Sequence, residues 1–263
     1  YGTSRSAQQF CEKAQLMNIE VMKALYEGWQ DHLWNTASGL LFWMSQSAYP
    51  SFIWQTYDYY LDMTGTYWGA KKACEPVHIQ WNCYNDNINI VNTSADDATA
   101  LTADIEVLRY NGQHYEPWCT TVQDITAKTN TVTNIYRFKS STENTDQKLD
   151  GLYFIRLYLY DSEQNLVSEN FYWKTTRGNR NNYTQLNNLP KADINYEVLS
   201  KTDDDDGLTR MHIRVNNPSE KIAFAVRVRL VDAQTGHRIL PVIMDENYFT
   251  LFAGEHRDLT LEY

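Results

Sequence analysis

The densest group of residues able to recognise a ligand lies between positions 43 and 62. Aromatic rings alternate there with short polar side chains in the segment Ser47-Ala48-Tyr49-Pro50-Ser51-Phe52-Ile53-Trp54-Gln55-Thr56-Tyr57-Asp58-Tyr59-Tyr60-Leu61-Asp62. Flat apolar rings stack on the C–H faces of sugars, while hydroxyl, amide and carboxylate groups hydrogen-bond sugar hydroxyls. The same rings could instead pack the segment against neighbouring structure. We assign Trp43 and Tyr49 to sugar contact, and Trp54 and Tyr57 to packing.

The four cysteines and six histidines show no catalytic or metal-binding pattern. No C-x-x-C pair occurs, and no histidine accompanies a nucleophile motif such as G-x-S-x-G. Cys83 and Cys119 fall in one predicted sandwich, so a disulfide between them is conceivable, although buried free thiols are the commoner arrangement. Neither G-x-G-x-x-G nor a P-loop is present. We therefore expect no metal and no cofactor.

Two acidic groups invite other chemistry. The run Asp203–Asp206 before Gly207 lacks the alternating ligands of a calcium loop, and adjacent like charges favour an exposed hairpin tip. Asp58 and Asp62 lie four residues apart and would share a face if helical, as two catalytic carboxylates of an intact enzyme. We favour a structural, hydrogen-bonded role for Asp58.

Length and charge exclude several classes of protein. The 263 residues suffice for about two domains. The net charge of −10 argues against nucleic-acid binding, which needs basic patches. No apolar run is long enough to span a membrane. Aromatic residues make up 14% of the chain, which suits β-sandwiches and sugar-binding surfaces alike. The chain starts at Tyr1 without Met or a leader, and we expect a piece of a longer protein.

Residues 1–76 predict the order helix, strand, helix. A first helix over residues 4–34, capped by Ser4 or Ser6, has one apolar side: Phe10, Ala14, Met17, Val21 and Leu25. Its other side is polar: Gln9, Glu12, Lys13, Glu20 and Lys23. The unbroken apolar run 40–44 predicts a strand buried on both faces. A second helix over residues 66–74 ends before Pro76.

After Pro76 the pattern becomes that of antiparallel strands. The segments 101–110, 153–160, 166–175 and 224–230 alternate or are separated by turn residues, with turns at 111–112 and 161–165. A polar stretch, 177–182, followed by Pro190, marks a boundary. We predict a mainly β fold with two tandem Ig-like antiparallel β-sandwiches, residues 77–188 and 189–263, preceded by an α/β remnant at residues 1–76.

Three stretches near the start resemble the end of the catalytic barrel of glycoside hydrolase family 2. They are Gly39–Met44, Tyr49–Tyr60 and Gly69–Gln80. The nearest branch is the exo-β-D-glucosaminidases, followed by the β-mannosidases. Asn170-Phe171-Tyr172-Trp173 is similar to the end of the middle sandwich of that branch. The tail, from Pro241 through the segment 245–255, is similar to the D-N-Y-F-x-L-x-P-G-E stretch of its last Ig-like domain.

This resemblance implies that residues 1–76 are the last helix, strand and loop of a (β/α)8 barrel. Family members are retaining glycosidases with two catalytic glutamates on earlier barrel strands, one of them after an asparagine. The chain contains no Asn-Glu dipeptide, so the resemblance implies no catalytic residue within it. The strand end would carry the substrate-binding residues Trp43, Ser45, Gln46 and Tyr49, with Trp43 in the wall of the sugar subsite.

Two functions follow as hypotheses. The first is a C-terminal fragment of a retaining exo-β-glycosidase that acts on terminal β-linked hexosamine or hexose, inactive alone and partnered by N-terminal domains of the same protein. The second is a stand-alone tandem Ig-like module that binds carbohydrate or a partner through Phe154, Tyr158 and Tyr160. These three residues could equally seat the barrel remnant. The family resemblance implies a periplasmic or extracellular location. The net charge predicts no nucleic-acid partner, and the lack of a long apolar run predicts no membrane span.

Overall fold

The computed structural model describes residues 1–52, 54–138, 149–176, 181–204 and 207–263. Within them, helices α1 (Ala7–Gln30) and α2 (Gly65–Ala73) precede the strands. The strands are β1 (Val77–Asn82), β2 (Asn87–Asn92), β3 (Ala98–Arg109), β4 (Thr120–Ala127), β5 (Thr131–Arg137), β6 (Leu152–Tyr160), β7 (Leu166–Thr175), β8 (Asn195–Asp203), β9 (Thr209–Asn216), β10 (Ala223–Val226), β11 (Ile243–Met244), β12 (Phe249–Leu251) and β13 (His256–Glu262). No helix among these residues is long and apolar enough to cross a membrane. The mainly β fold is confirmed.

The chain divides into two compact units, each containing one pair of antiparallel sheets. The first unit comprises Tyr1–Ala7, Glu20–Phe42 and Gly69–Asn187. The second comprises Gln8–Ile19, Trp43–Trp68 and Asn188–Tyr263. The division into 1–76, 77–188 and 189–263 stays a prediction.

The first unit pairs a three-stranded sheet, β1-β2-β5, with a four-stranded sheet, β4-β3-β6-β7. Alternate residues of β6 contribute to the core between them, as the period of two requires: Ile155, Leu157 and Leu159 are all fully buried. Burying each such side chain contributes roughly 1.5–3 kcal/mol. The predicted turn at 161–165 connects β6 to β7, which pair antiparallel.

The second unit pairs the sheet β11-β13-β9-β8 with the short sheet β10-β12. Its core includes Leu251, Leu259 and Trp68, the last from α2. The strand predicted over 224–230 ends early, at Val226. Beyond that point the side chain of Asn247 holds the backbone of Val228, accepting from its N–H at 2.8 Å and donating to its C=O at 2.8 Å.

One buried asparagine forms a corner of the first sandwich. Asn92 accepts hydrogen bonds through Oδ1 from the N–H and the hydroxyl of Ser94, at 2.9 and 2.6 Å. Its Nδ2 donates to the carbonyl oxygens of Asp96 and Ala127, at 2.9 and 2.8 Å. The side chain thereby ties two backbone carbonyl groups, 31 residues apart, to the end of β2.

The second sandwich has the same corner at Asn217. Its Oδ1 accepts from the N–H and the hydroxyl of Ser219, at 3.3 and 2.6 Å. Its Nδ2 donates to the carbonyl oxygens of Lys221, Leu251 and Phe252, at 2.6, 3.0 and 3.0 Å. In both corners the acceptors lie 4 and 35 residues further along the chain. The two sandwiches therefore repeat one local design.

Helix α1 lies within the predicted range, but its apolar side is largely exposed. Phe10, Met17, Val21 and Leu25 are exposed, as is Trp29 further along. Lys23, from the side predicted to be polar, is buried. Lys23 and Glu27 face the first sandwich and form hydrogen bonds to Asn170 of β7. We call the exposed set of five residues the apolar stripe of α1.

The buried strand predicted at 40–44 is also absent. These residues form no ladder with any described part of the chain, and Leu41 is 100% exposed. A strand buried on both faces requires neighbouring strands on its edges and elements over its faces. The described residues supply neither to this segment, so the helix–strand–helix order becomes helix, extended segment, helix.

Candidate functional site

The segment after position 43 is organised by short hydrogen bonds to its own backbone. The carbonyl oxygen of Ser45 accepts from the N–H of Tyr57 at 2.9 Å and from the hydroxyl of Thr56 at 2.6 Å. The hydroxyl of Thr64 donates to the carbonyl of Gln55 at 2.6 Å, and that of Thr66 to the carbonyl of Trp54 at 2.5 Å. Threonine hydroxyls thus fold the segment back on itself without a regular sheet.

The four predicted substrate-binding residues all lie on the surface of this segment. Trp43 is 78% exposed and Tyr49 is 68% exposed. Ser45 and Gln46 are exposed beside Tyr57, to which Gln46 is bridged through its backbone. Large apolar rings at such exposure are available to a ligand or to further protein.

A buried polar pair in the same segment was not predicted. The hydroxyl of Ser47 donates to Oε1 of Gln55 at 2.8 Å, and the Gln55 side chain is fully buried. Among the described residues, Nε2 of Gln55 has no hydrogen-bond partner. A serine and a glutamine eight positions apart carry no sequence signal for such a pair.

The assignment of Tyr57 to packing agrees with its surroundings. Its ring lies 5.4 Å from that of Tyr67, and it packs against the core of the second sandwich. Trp54 remains about half exposed.

Asp58 and Asp62 are held in ion pairs. Oδ1 of Asp58 accepts from the backbone N–H groups of Tyr60 and Asp62, at 2.8 and 3.0 Å. Arg238 lies 3.1 Å from Asp58 and 2.6 Å from Asp62, and Arg227 lies 2.9 Å from Asp62. Both carboxylates raise the pKa of Arg238 against the opposing effect of burial. This geometry favours the structural role over a catalytic pair.

The surface proposed for a stand-alone binding module is only partly available. Phe154 is 0% exposed and stacks on Phe171, with 5.5 Å between ring centroids. Tyr158 and Tyr160 are partly exposed and stack on each other at 6.1 Å. The three residues therefore do not form one continuous aromatic platform.

The remaining sequence candidates have simple surroundings. All four cysteines, including Cys83 and Cys119, are free thiols, but the expectation that they are buried is wrong: Cys74 and Cys83 are exposed, and Cys11 and Cys119 are partly exposed. In the acidic run, Asp205 and Asp206 lie outside the described residues. Strands β8 and β9, on either side of the run, are antiparallel neighbours.

A buried ionic cluster in the first unit was not predicted from the sequence. His78, 0% exposed, contacts Glu27 of α1 through Nε2 at 3.1 Å and Glu75 through Nδ1 at 3.0 Å. The hydroxyl of Ser168 donates to Glu75 at 2.6 Å. The i,i+3 spacing of Glu75 and His78 was the available signal. Glu27 lies far away in sequence and gave none.

Strand β7 completes this cluster. Nδ2 of Asn170 and the hydroxyl of Tyr172 donate to Oε1 of Glu27, at 2.7 and 2.9 Å. Lys23 donates to Oδ1 of Asn170 at 2.8 Å and to the carbonyl of Phe171 at 2.6 Å. The motif at 170–173 therefore anchors α1 through its alternate residues.

The charges of the cluster are coupled. Burial alone would lower the pKa of His78, but the hydrogen bonds and charges of Glu27 and Glu75 raise it above its usual value. For Glu27, burial is outweighed by His78 and Lys23, which hold its pKa below the usual range. Burial lowers the pKa of Lys23 to about 8.

We predict that the free energy of unfolding falls as pH rises from about 6.5 towards 8, by at most about 1.4 kcal/mol per pH unit. Because the pKa of His78 is higher in the folded than in the unfolded state, protonation of His78 stabilises the fold. This stabilisation is complete at pH values below the unfolded-state pKa, and it is lost as the pH rises through the folded-state pKa. Lys23 acts in the opposite direction only above about pH 8. Urea unfolding at stepped pH should show the decline in the parent and in His114→Gln, an exposed-histidine control, but not in His78→Gln. Parallel pH curves for all three proteins would contradict the coupling.

The residues of the tail motif, in the segment 245–255, stabilise local backbone structure. Asn247 fixes the backbone of Val228, as described above. Oε2 of Glu255 accepts from the N–H of Phe252 at 2.8 Å, closing the turn before β13. Gly254 has φ +74°, a conformation that glycine adopts without strain.

Residues 170–263 match the family model of the exo-β-D-glucosaminidase Ig-fold domain. The match begins within β7 and covers every strand of the second sandwich, β8 to β13.

Over its whole length, the chain is 31% identical to exo-β-D-glucosaminidase from Amycolatopsis orientalis, covering 27% of that relative. The crystal structure of the exo-chitosanase from the same organism superposes with a TM-score of 0.88 at 27% identity, covering 100% of this chain and 32% of the other. A β-D-mannosidase structure from Dictyoglomus thermophilum superposes with a TM-score of 0.73 at 16% identity. It covers 100% of this chain and 29% of the mannosidase, and at this identity the match shows the fold alone. The resemblance to exo-β-D-glucosaminidases is confirmed along the full chain, which spans about a third or less of these proteins.

Proposed function

We propose that this chain is the C-terminal part of a retaining exo-β-glycosidase that removes terminal β-linked sugars, glucosamine foremost. The observation that carries the proposal is the match of the whole chain to an exo-chitosanase structure at a TM-score of 0.88. The exposed rings of Trp43 and Tyr49 support it, because sugar-binding surfaces use such rings.

In this proposal the chemistry is performed by carboxylates outside residues 1–263. A retaining mechanism needs an acid and a nucleophile about 5–5.5 Å apart on either side of the glycosidic bond. Asp58 and Asp62 are engaged by Arg238 and Arg227. These ion pairs and the backbone hydrogen bonds to Asp58 give both carboxylates a structural role within this chain.

The role proposed for this chain within the enzyme is to build part of the sugar subsite. Trp43 supplies an apolar wall for a sugar face, and Tyr49 a second ring with a hydroxyl. Ser45 and Gln46 supply hydrogen-bonding groups beside them. The hydrogen bonds from Thr56 and Tyr57 to the carbonyl of Ser45 would hold this edge in place.

The apolar stripe of α1 has a place in the same proposal. Exposed apolar side chains on one helix mark a surface that other protein covers. We propose that the N-terminal domains of the longer protein cover the stripe. The parent enzyme would act on polysaccharide outside the cytoplasm, in the periplasm or the extracellular medium.

Two measurements test the proposal. In the full reading frame that contains these residues, Trp43→Ala is expected to lower kcat/KM for an aryl β-D-glucosaminide about 100-fold, or about 2.7 kcal/mol of transition-state binding. Trp54→Ala, the control, should lower thermal stability and leave kcat/KM within about threefold.

The second measurement uses the 263-residue chain alone, which should show only background hydrolysis. Enzyme-like turnover by this chain would contradict the placement of the carboxylates. Saturable quenching of tryptophan fluorescence by chito-oligosaccharides, surviving deletion of residues 1–76, would favour the stand-alone module. An unchanged kcat/KM in Trp43→Ala would remove Trp43 from the subsite.

A further inference from the structure

Three asparagines in the described residues begin an Asn-x-Ser/Thr tripeptide and share one local geometry. They are Asn92, Asn182 and Asn217. In each, Oδ1 accepts from both the N–H and the hydroxyl of the residue two positions on. Asn-x-Ser/Thr, where x is not proline, is the acceptor sequence for N-linked glycosylation. The three sites differ in what surrounds the amide nitrogen that would carry a glycan.

Two of the three sites are closed to modification in the folded protein. Asn217 is followed by Pro218, which removes it from the acceptor sequence. Asn92 is 0% exposed, and its Nδ2 donates to two backbone carbonyl oxygens of the corner. A glycan on this nitrogen would break the corner and has no space to occupy.

Asn182 is different because its side chain is exposed. Its Oδ1 accepts hydrogen bonds from the N–H and the hydroxyl of Thr184, at 3.2 and 2.7 Å. The next residue, Tyr183, is buried, and its hydroxyl donates to Glu20 at 2.9 Å. A buried anchor thus presents Asn182 at the surface, ahead of the short 3-10 helix Thr184–Asn188.

We infer that Asn182 is an N-glycosylation acceptor and that Asn92 is not. In the transfer step, Nδ2 of Asn182 forms a bond to C1 of an oligosaccharide carried on a lipid pyrophosphate. The C1–oxygen bond to the pyrophosphate breaks, the lipid pyrophosphate leaves with the electron pair, and an oligosaccharyltransferase base takes the amide proton. The chain is modified wherever it passes such a transferase.

The test is expression of residues 1–263 behind a cleavable secretion leader in yeast. The leader-free product from medium and lysate is treated with an amidase that converts each glycosylated asparagine to aspartate in heavy-oxygen water, and peptides are read by mass spectrometry. Label is expected at position 182 and at no other site in the secreted protein. Asn182→Gln and Thr184→Val should lose the glycan, whereas Thr184→Ser and Ser94→Ala should keep it.

Each other outcome overturns the inference. An unlabelled Asn182 in leader-free protein shows that exposure and the Thr184 hydroxyl do not suffice. Label at Asn92 in secreted, protease-resistant protein shows that the corner tolerates a glycan. Label at position 182 in Thr184→Val shows that the hydroxyl has no part in recognition.

Discussion

Glu27→Ala is expected to lower the free energy of unfolding by about 3–5 kcal/mol. The substitution leaves buried His78 with one carboxylate partner instead of two, and it removes the acceptor of Asn170 and Tyr172. Removing one member of a buried ion pair is costly because the remaining charge has lost its compensation without regaining water. Urea denaturation followed by tryptophan fluorescence at about pH 6.5 measures the loss.

Two matched variants show whether the charge or the helix is responsible. Glu12→Ala removes an exposed glutamate from the same helix and should change stability by less than about 0.5 kcal/mol. Glu27→Gln keeps an oxygen for Asn170 and Tyr172 but loses the charge facing His78, and should fall between the other two. If Glu27→Ala costs no more than Glu12→Ala, the cluster does not anchor the helix.

Asn217→Ala is expected to cost about 3 kcal/mol or more in the second sandwich. Three carbonyl oxygens, those of Lys221, Leu251 and Phe252, lose their side-chain donor, and Ser219 loses its acceptor. Each buried polar group left without a partner costs about 1–3 kcal/mol, and relaxation recovers part of the sum. Asn92→Ala should have a comparable effect in the first sandwich.

Calorimetry is the suitable measurement, because two compact units can melt in two transitions. Asn217→Ala should lower the transition of the second unit and Asn92→Ala that of the first. Asn216→Ala, which removes only an exposed contact to Asn195, is the neighbouring control and should shift neither by more than about 0.5 kcal/mol. Equal effects of Asn216→Ala and Asn217→Ala would contradict the role of the corner.

Strands that bury one face were predictable from sequence, whereas burial that depends on distant partners was not. The alternation in β6 and the turn at 161–165 have local causes, and both are present. The run 40–44 has the composition of a buried strand, but burial requires neighbours that composition does not supply. The spacing of apolar residues in α1 correctly indicated a helix, but it gave no sign that these side chains are exposed.

In the candidate site, too, features with local causes were predictable and contacts between distant residues were not. The exposed rings of Trp43 and Tyr49 followed from residue type and spacing, and their role in sugar contact stays a prediction. The ion pairs of Asp58 were not predictable, because Arg238 lies 180 residues away. Pairings of this kind leave no periodic signal, since each partner is an ordinary polar residue in its own segment.

The anchoring of α1 also constrains the order in which the chain assembles. Glu27 and Asn170 are separated by 143 residues, so their contact cannot form until β7 exists and lies beside β1. Contacts this distant close late, because the entropy of the intervening chain must be lost first. During synthesis α1 leaves the ribosome well before β7, so the carboxylate of Glu27 stays hydrated until its contact with Asn170 can form. The anchoring of α1 on the first sandwich is thus expected to be among the last steps in the folding of this unit.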